Sequence, residues 1–221
     1  MSYEQDEKLF QPYDRAYKSI FSHAEMIEAL LKGFVAKRWV KDLDFNTLKK
    51  VNIKHLTRDL KARENDMLWE IYFKNQPLYI LCLLEFQTTV DYYMAVRLMT
   101  YVSLIYEDLL RQKTQLVNSK LLPPVFPLVF YTGEKKWNAP LSVQQCIVPI
   151  PFRDLRRCQP AMEYILLDVK HLELDKKLLG MDNLALPLVE LNQVRDIEHF
   201  QAIINNLVIK LKGSAYNSLR R

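Results

Sequence analysis

A chain of 221 residues that is 49% hydrophobic and 26% charged can bury one sizeable core with at most a small appendage, and is neither disordered nor fibrous. The net charge of +5 permits an anionic partner without requiring one, and four glycines leave no Gly-rich phosphate-binding loop. Cys82, Cys146 and Cys158 are too scattered for a disulfide framework or a zinc site. The polar N-terminus is no secretory signal and no apolar run nears the roughly 18 residues of a membrane span, so a cytoplasmic protein with reduced thiols is expected.

In chain order, residues 1–12 read as a loose leader, and Asp14 to Phe21 as a short helix. Ser22-His-Ala-Glu25 has the spacing of a capping box, which predicts a second helix from Ser22. Met26, Ile27, Leu30, Leu31, Phe34 and Val35 give it one apolar face, ending near Lys37-Arg38-Trp39. Residues 32–63 carry ten Lys or Arg against three Asp. Such a run is either a solvated basic face or a surface that tracks phosphates. Val51 to Leu60 alternates weakly and is expected as a first strand, with Ile53 and Leu56 inward.

Asp66 to Gln87 is the most informative stretch. Two apolar, aromatic and β-branched runs flank Lys74-Asn-Gln-Pro77, a hairpin signal. A four-residue loop there makes Phe73 face Leu78 and Asp66 face Glu85, with Gln87 on the same face two residues on. Directly opposed residues have Cβ atoms about 4.5–5.5 Å apart. Two ionised carboxylates that close repel, and a divalent cation between them removes the conflict. Asp66, at a strand start, can equally be solvated. Glu85 ends the run Leu78 to Leu84, which looks buried on both faces, where an unpaired charge is costly. Hard oxygen ligands suit Mg²⁺ or Mn²⁺, with the Phe86 backbone carbonyl as a third donor and Gln87 holding a water or phosphate oxygen.

Tyr92 to Gln115 reads as one long helix, with Arg97 aimed either at the carboxylates or into a surface salt bridge. Leu121-Leu-Pro-Pro124 stops it. Val125 to Tyr131 is a strand that Pro127 assigns to an edge or bulge. A loop from Thr132 to Trp137 follows, then an irregular proline-rich stretch, 138–161, with basic Arg153, Arg156 and Arg157. Glu163 to Asp168 is expected as a last strand. The tail from His171 is helical, with interruptions at Gly180 and Pro187, and Ile197 to Leu211 is its best helix. The simplest packing is a mixed sheet flanked by helices. Residues 1–150 would form the core and 151–221 a mostly helical extension. Other chemistries lack residues: His23, His55, His171 and His199 form no ligand pair, and no G-x-S-x-G elbow exists.

Several of these segments resemble one family. They are Asp66-Met-Leu-Trp69, Leu83-Leu-Glu-Phe-Gln-Thr88 and Tyr93-Met-Ala-Val-Arg-Leu-Met-Thr-Tyr101, with Asp14-Arg-Ala-Tyr-Lys18-Ser-Ile-Phe21 before them and Pro127-Leu-Val-Phe-Tyr-Thr-Gly-Glu134 after. In this order, over roughly residues 10–140, they are similar to the Rpn/YhgA-like recombination-promoting nucleases, also described as PD-(D/E)XK family transposases. The resemblance implies the restriction-endonuclease-like α/β fold and a metal-dependent DNA endonuclease that promotes recombination or DNA mobility. By motif match it makes Asp66 and Glu85 the metal-binding acids and puts Gln87 where the wider superfamily has lysine. Asp14 and Lys18 are carried over as helix-borne site residues. Glu-Phe-Gln-Thr departs from the more usual Glu-His-Gln-Ser. The neutral Gln87 keeps a second reading open, a non-catalytic DNA-binding or regulatory protein on the same fold. RNA cleavage would differ only in substrate. Cutting both strands needs two active sites, so a homodimer is expected.

Overall fold

The computed structural model of the protein describes residues 17–35, 38–51, 66–85, 90–111, 121–174, 183–194 and 196–212; positions 66, 83–85 and 210–212 are described by backbone alone. Five strands form one sheet in the order β1-β2-β3-β4-β5: β1 Leu43–Val51, β2 Asp66–Phe73, β3 Gln76–Glu85, β4 Val125–Tyr131 and β5 Ile165–Asp168. The β1–β2 and β2–β3 pairs are antiparallel, and β3–β4 and β4–β5 are parallel. The α-helices used below are α1 Ala24–Leu30, α2 Met94–Arg111, α3 Arg153–Arg157, α4 Leu186–Gln193 and α5 Ile197–Lys212. This is the mixed α/β sheet flanked by helices that the restriction-endonuclease-like fold requires.

Alternation along the strands sorts the core into two layers. On one face Met67, Trp69, Ile71, Ile80, Cys82 and Phe130 pack against Phe21, α1 and α4. On the other, Leu68, Tyr79, Leu81, Val129 and Tyr131 pack against α2 through Met94, Leu98, Tyr101, Ile105 and Leu109. Leu78 to Cys82 are buried without a break, as a strand covered on both sides must be. At about 25 cal/mol per Å² of apolar surface, these two layers supply the main stabilisation.

The structure departs from the sequence reading at identifiable points. The hairpin turn is Lys74-Asn75 alone, with both residues at positive φ (48° and 63°), as a two-residue type I′ turn demands. Phe73 therefore pairs with Gln76, and Pro77 lies inside β3 opposite Tyr72. Pro77 precedes the β3–β4 ladder, which starts at Tyr79, so its missing N–H costs no bond there. Pro127 lies in an interior strand rather than an edge; β5 pairs with β4 only from Leu128, just beyond it. The first described strand, Leu43–Val51, begins well before the expected Val51 to Leu60, whose residues from 52 on lie outside the described set. Its alternation is hidden by an irregularity between Asp44 and Lys49, where the Thr47 hydroxyl accepts the Tyr72 N–H (2.9 Å) in place of a backbone carbonyl. Leu43 and Leu48, of opposite parity, consequently face the same core.

Helix ends shift too. Ser22 is not a cap: its hydroxyl donates to the Ser19 carbonyl (2.6 Å), and α1 starts one residue later, with His23 at the N-cap and no side-chain bond there. Beyond α1 the chain widens into a π-turn, Leu31–Val35. Pro187 does not interrupt a helix but begins one, in the first turn of α4, where a missing N–H is harmless. Glu163 precedes β5 and forms an isolated bridge with Ser142.

Candidate active site

The strand directions bring the carboxyl ends of β1, β3, β4 and β5 and the amino end of β2 to one edge of the sheet. Val51, Glu85, Tyr131, Asp168 and Asp66 are the residues at that edge. Asp66 pairs with Leu83 rather than Glu85, because the turn is two residues shorter than the four-residue loop expected. Leu83 and Glu85 share parity, so positions 66 and 85 still share a face, as diagonal neighbours. Their Cβ spacing is then about 7–8 Å or slightly less, instead of the directly opposed 4.5–5.5 Å. That face is the one covered by α2. Phe86, Gln87 and Asp14 lie outside the described residues.

Glu85 is in register with Tyr131, and Tyr131 with Asp168. The Tyr131 ring is wholly buried, crosses Trp137 edge-on at 4.8 Å, and donates its hydroxyl to the Lys135 carbonyl (2.9 Å). A Cβ on Gly133 would sit 2.1 Å from the Tyr131 oxygen, so the Tyr-Thr-Gly sequence lets the loop fold back over the ring. Asp168 accepts the Trp137 backbone N–H (2.9 Å) on Oδ2, and Oδ1 lies 2.8 Å from Nδ1 of His171. Sequence reasoning did not single out Asp168. The signal was available: Ile-Leu-Leu-Asp168 ends an apolar strand in a carboxylate just as Leu-Cys-Leu-Leu-Glu85 does. His171, which the sequence offered only as an isolated histidine, is held by this carboxylate.

The basic candidates are distributed around this edge. Arg97, on the first turn of α2, pairs with Asp91 (Nη1 to Oδ2, 2.9 Å), and only 15% of its side chain is exposed. Asp91 also accepts the Tyr93 N–H (3.0 Å), which fixes the helix entry. Arg97 and Asp91 are both close enough to act electrostatically on the Tyr164 phenol, whose pKa burial pushes above its ordinary value. Lys18 lies on the other face of the sheet, near Lys50, which sits opposite Trp69 in the β1–β2 ladder. Desolvation first, and then the Lys18 charge, hold the Lys50 amine below the ordinary lysine range. Within the basic stretch, Lys32 is tied to Glu28 and Lys49 to Glu70 (2.8 Å), so these two charges have local partners. Among the residues whose side chains are described, which do not include Asp66 and Glu85, no three His, Cys, Asp or Glu side chains cluster as metal ligands. No helix among the described residues is long and apolar enough to cross a membrane.

A family model described as "Putative transposase, YhgA-like" matches residues 11–219. The chain belongs to this YhgA-like family. Among curated proteins, it is 26% identical over 124 residues to "Recombination-promoting nuclease RpnD" of Escherichia coli O157:H7, covering 56% of this chain and 46% of that protein. It is 34% identical over 90 residues to "Recombination-promoting nuclease RpnA" of E. coli K12, covering 41% and 29%. It is also 28% identical over 123 residues to "Inactive recombination-promoting nuclease-like protein RpnE" of E. coli K12, covering 56% and 40%. The matched part thus spans less than half the length of these relatives. No solved structure matches.

Proposed function

We propose that this YhgA-like protein is a metal-dependent DNA endonuclease that hydrolyses phosphodiester bonds at the Asp66–Glu85 end of the sheet, in the service of recombination or DNA mobility. The observation that carries the reading is the shared face of positions 66 and 85 at one sheet edge, in a chain similar to proteins named recombination-promoting nucleases. Asp66 and Glu85 are assigned to hold Mg²⁺ or Mn²⁺, with the Phe86 carbonyl as a third oxygen donor. Diagonal neighbours fit that task, since the one-carbon difference between the two acid side chains lets both reach a shared ligand from staggered positions. Such an ion, when bound, polarises the phosphodiester and makes attacking water more acidic. Gln87 orients that water or a phosphate oxygen through its amide. Lys18 and Lys50, close enough to interact on the other face, would draw in the DNA backbone, and Arg97 would brace the start of α2 beside the acids.

Supercoiled plasmid incubated with wild-type protein and Mg²⁺ should be nicked or linearised. EDTA or Glu85→Ala should abolish the product while duplex affinity is retained. A Glu85→Ala variant that binds DNA normally and still cleaves refutes the assignment. A second reading, a DNA-binding regulator without catalysis, is favoured by the neutral Gln87 and by relatives named inactive. It predicts salt-dependent DNA affinity unchanged by the Asp66→Ala, Glu85→Ala double replacement, and no cleavage with any divalent cation.

A further inference from the structure

Between β4 and β5 the chain makes an excursion whose base is closed. The Val143 N–H donates to the Met162 carbonyl (3.0 Å), the Tyr164 N–H donates to the Leu141 carbonyl (3.1 Å), and Ser142 bridges Glu163. Val143 is buried in the α2-side core, so this base is anchored. Within this excursion, here termed the finger, eight consecutive residues at the tip, 151–158, are exposed.

The tip is ordered by its own bonds. Arg156 N–H donates to Phe152 O (3.1 Å) and Cys158 N–H to Leu155 O (3.1 Å), while Pro149 and Pro151 stiffen the approach. Yet α3 buries no residue at all. A helix this short is not stable by propensity and usually persists by packing an apolar face. Here the apolar side chains point to solvent instead: Phe152 is 68% exposed and Leu155 54%. Three exposed arginines, Arg153, Arg156 and Arg157, stand around them against the single carboxylate of Asp154. Rigid guanidinium forks suit phosphate oxygens, and an exposed Phe beside them suits a sugar face or base edge.

We propose that this finger is a DNA-gripping arm: Arg153, Arg156 and Arg157 bind backbone phosphates of duplex DNA away from the scissile bond, and Phe152 and Leu155 pack into the groove between them. The choice of duplex DNA rests on the nuclease reading above. The arm supplies affinity and register; the sheet edge supplies chemistry.

The test measures fluorescence anisotropy of a labelled 30-base-pair duplex against full-length protein in EDTA, across a salt series. Wild type is compared with an Arg153→Gln, Arg156→Gln, Arg157→Gln triple variant and with Phe152→Ser. Because α3 buries no residue, both variants should melt like wild type. The triple variant should lose at least tenfold in affinity, and its log K against log salt slope should flatten by about 2–3, one unit per lost phosphate contact. Phe152→Ser should weaken binding severalfold at unchanged slope. Triple-variant binding within twofold of wild type, at the same slope, overturns the arm and leaves the nuclease reading intact. Arginine-dependent duplex binding without plasmid cleavage in Mg²⁺ supports the arm and overturns the nuclease reading. A wild type that does not bind duplex overturns the arm, as does a triple variant impaired on phosphatidylserine vesicles but not on duplex.

Discussion

Replacing Gly133 by alanine probes how the loop after β4 is seated on the sheet edge. The new Cβ would lie 2.1 Å from the Tyr131 oxygen, 2.3 Å from Cζ and 2.6 Å from Cε2. Carbon atoms in contact rest at about 3.5–4.0 Å, so ring and loop must separate by more than about 1 Å. The ring cannot yield cheaply. It is fully buried, Trp137 closes one side, and its hydroxyl is bonded to Lys135. Overpacking of this kind costs about 1–3 kcal/mol, and losing the hydroxyl bond adds about 1 kcal/mol. Against this, a Gly to Ala change stiffens the unfolded chain and stabilises by only about 0.4–1 kcal/mol. The steric term wins, for a net loss of about 2–3 kcal/mol. At about 2–4 °C per kcal/mol for a chain of this size, Tm should fall by roughly 5–10 °C. Differential scanning calorimetry on Gly133→Ala, Tyr131→Leu and the double variant makes the test specific. If the ring is the obstacle, most of the alanine penalty disappears in the Tyr131→Leu background. An unchanged Tm for Gly133→Ala, or a penalty equally large without the ring, refutes the reasoning.

Four other outcomes are expected. Tyr79 donates to Glu70 Oε2 (2.8 Å), a carboxylate only 13% exposed, so Tyr79→Phe should destabilise by about 1–2 kcal/mol in urea melts, with the m-value unchanged. Burial, and for Tyr79 the bond to Glu70, raise the phenol pKa values of Tyr79 and Tyr164 above 10.0. The folded chain therefore holds these protons more tightly than the unfolded chain. That stability is complete below about pH 10 and is lost as pH climbs past it, so Tyr79→Phe should flatten the alkaline arm of a stability–pH curve. Asn75 sits at φ 63° in the hairpin turn, so Asn75→Gly should raise Tm, by about 0.5–1 kcal/mol of stability. Asn183 accepts from the Ala185 and Leu186 N–H groups at the start of α4 and donates to the Ala29 carbonyl of α1 (2.8 Å), so Asn183→Ala should cost about 1–2 kcal/mol by thermal denaturation.

What could be read from the residues alone follows from which signals are local. The β3 run and the face of α2 were legible because burial on two sides, or on one helical stripe, writes itself into consecutive residues. β1 was not, because the bulge flips the parity of its inward residues and no alternation survives across it. The positions of Pro77, Pro127 and Pro187 were misread for a common reason. Proline forbids a hydrogen bond, but whether a bond was due there depends on where the neighbouring ladder or helix begins, a tertiary fact. Gly133 carried no conformational signal, since what it requires is space for the Tyr131 ring. Asp168 was missed because its significance comes from the register that aligns it with Tyr131 and Glu85 across two strand boundaries.

The shared face of positions 66 and 85 survived an error that should have been harmful. Assigning four residues to the hairpin loop instead of two moved every partner of β2 by two positions, from Glu85 to Leu83 opposite Asp66. Side chains in a strand repeat every two residues, so an even slip preserves the face, whereas a slip of one would have sent Asp66 and Glu85 to opposite sides of the sheet. The parity was fixed by composition: Leu68, Tyr79 and Leu81 must meet α2, while Met67, Trp69 and Ile80 must meet α1 and α4. Burial of two apolar faces thus locks the parity of the whole hairpin, and the two acids at its open end inherit a shared face from it. A substitution that exchanged the two core layers would have to unfold the sheet before it could separate them. The shared face of positions 66 and 85 is for that reason as robust as the core itself, while the finer spacing between them is set by a two-residue turn.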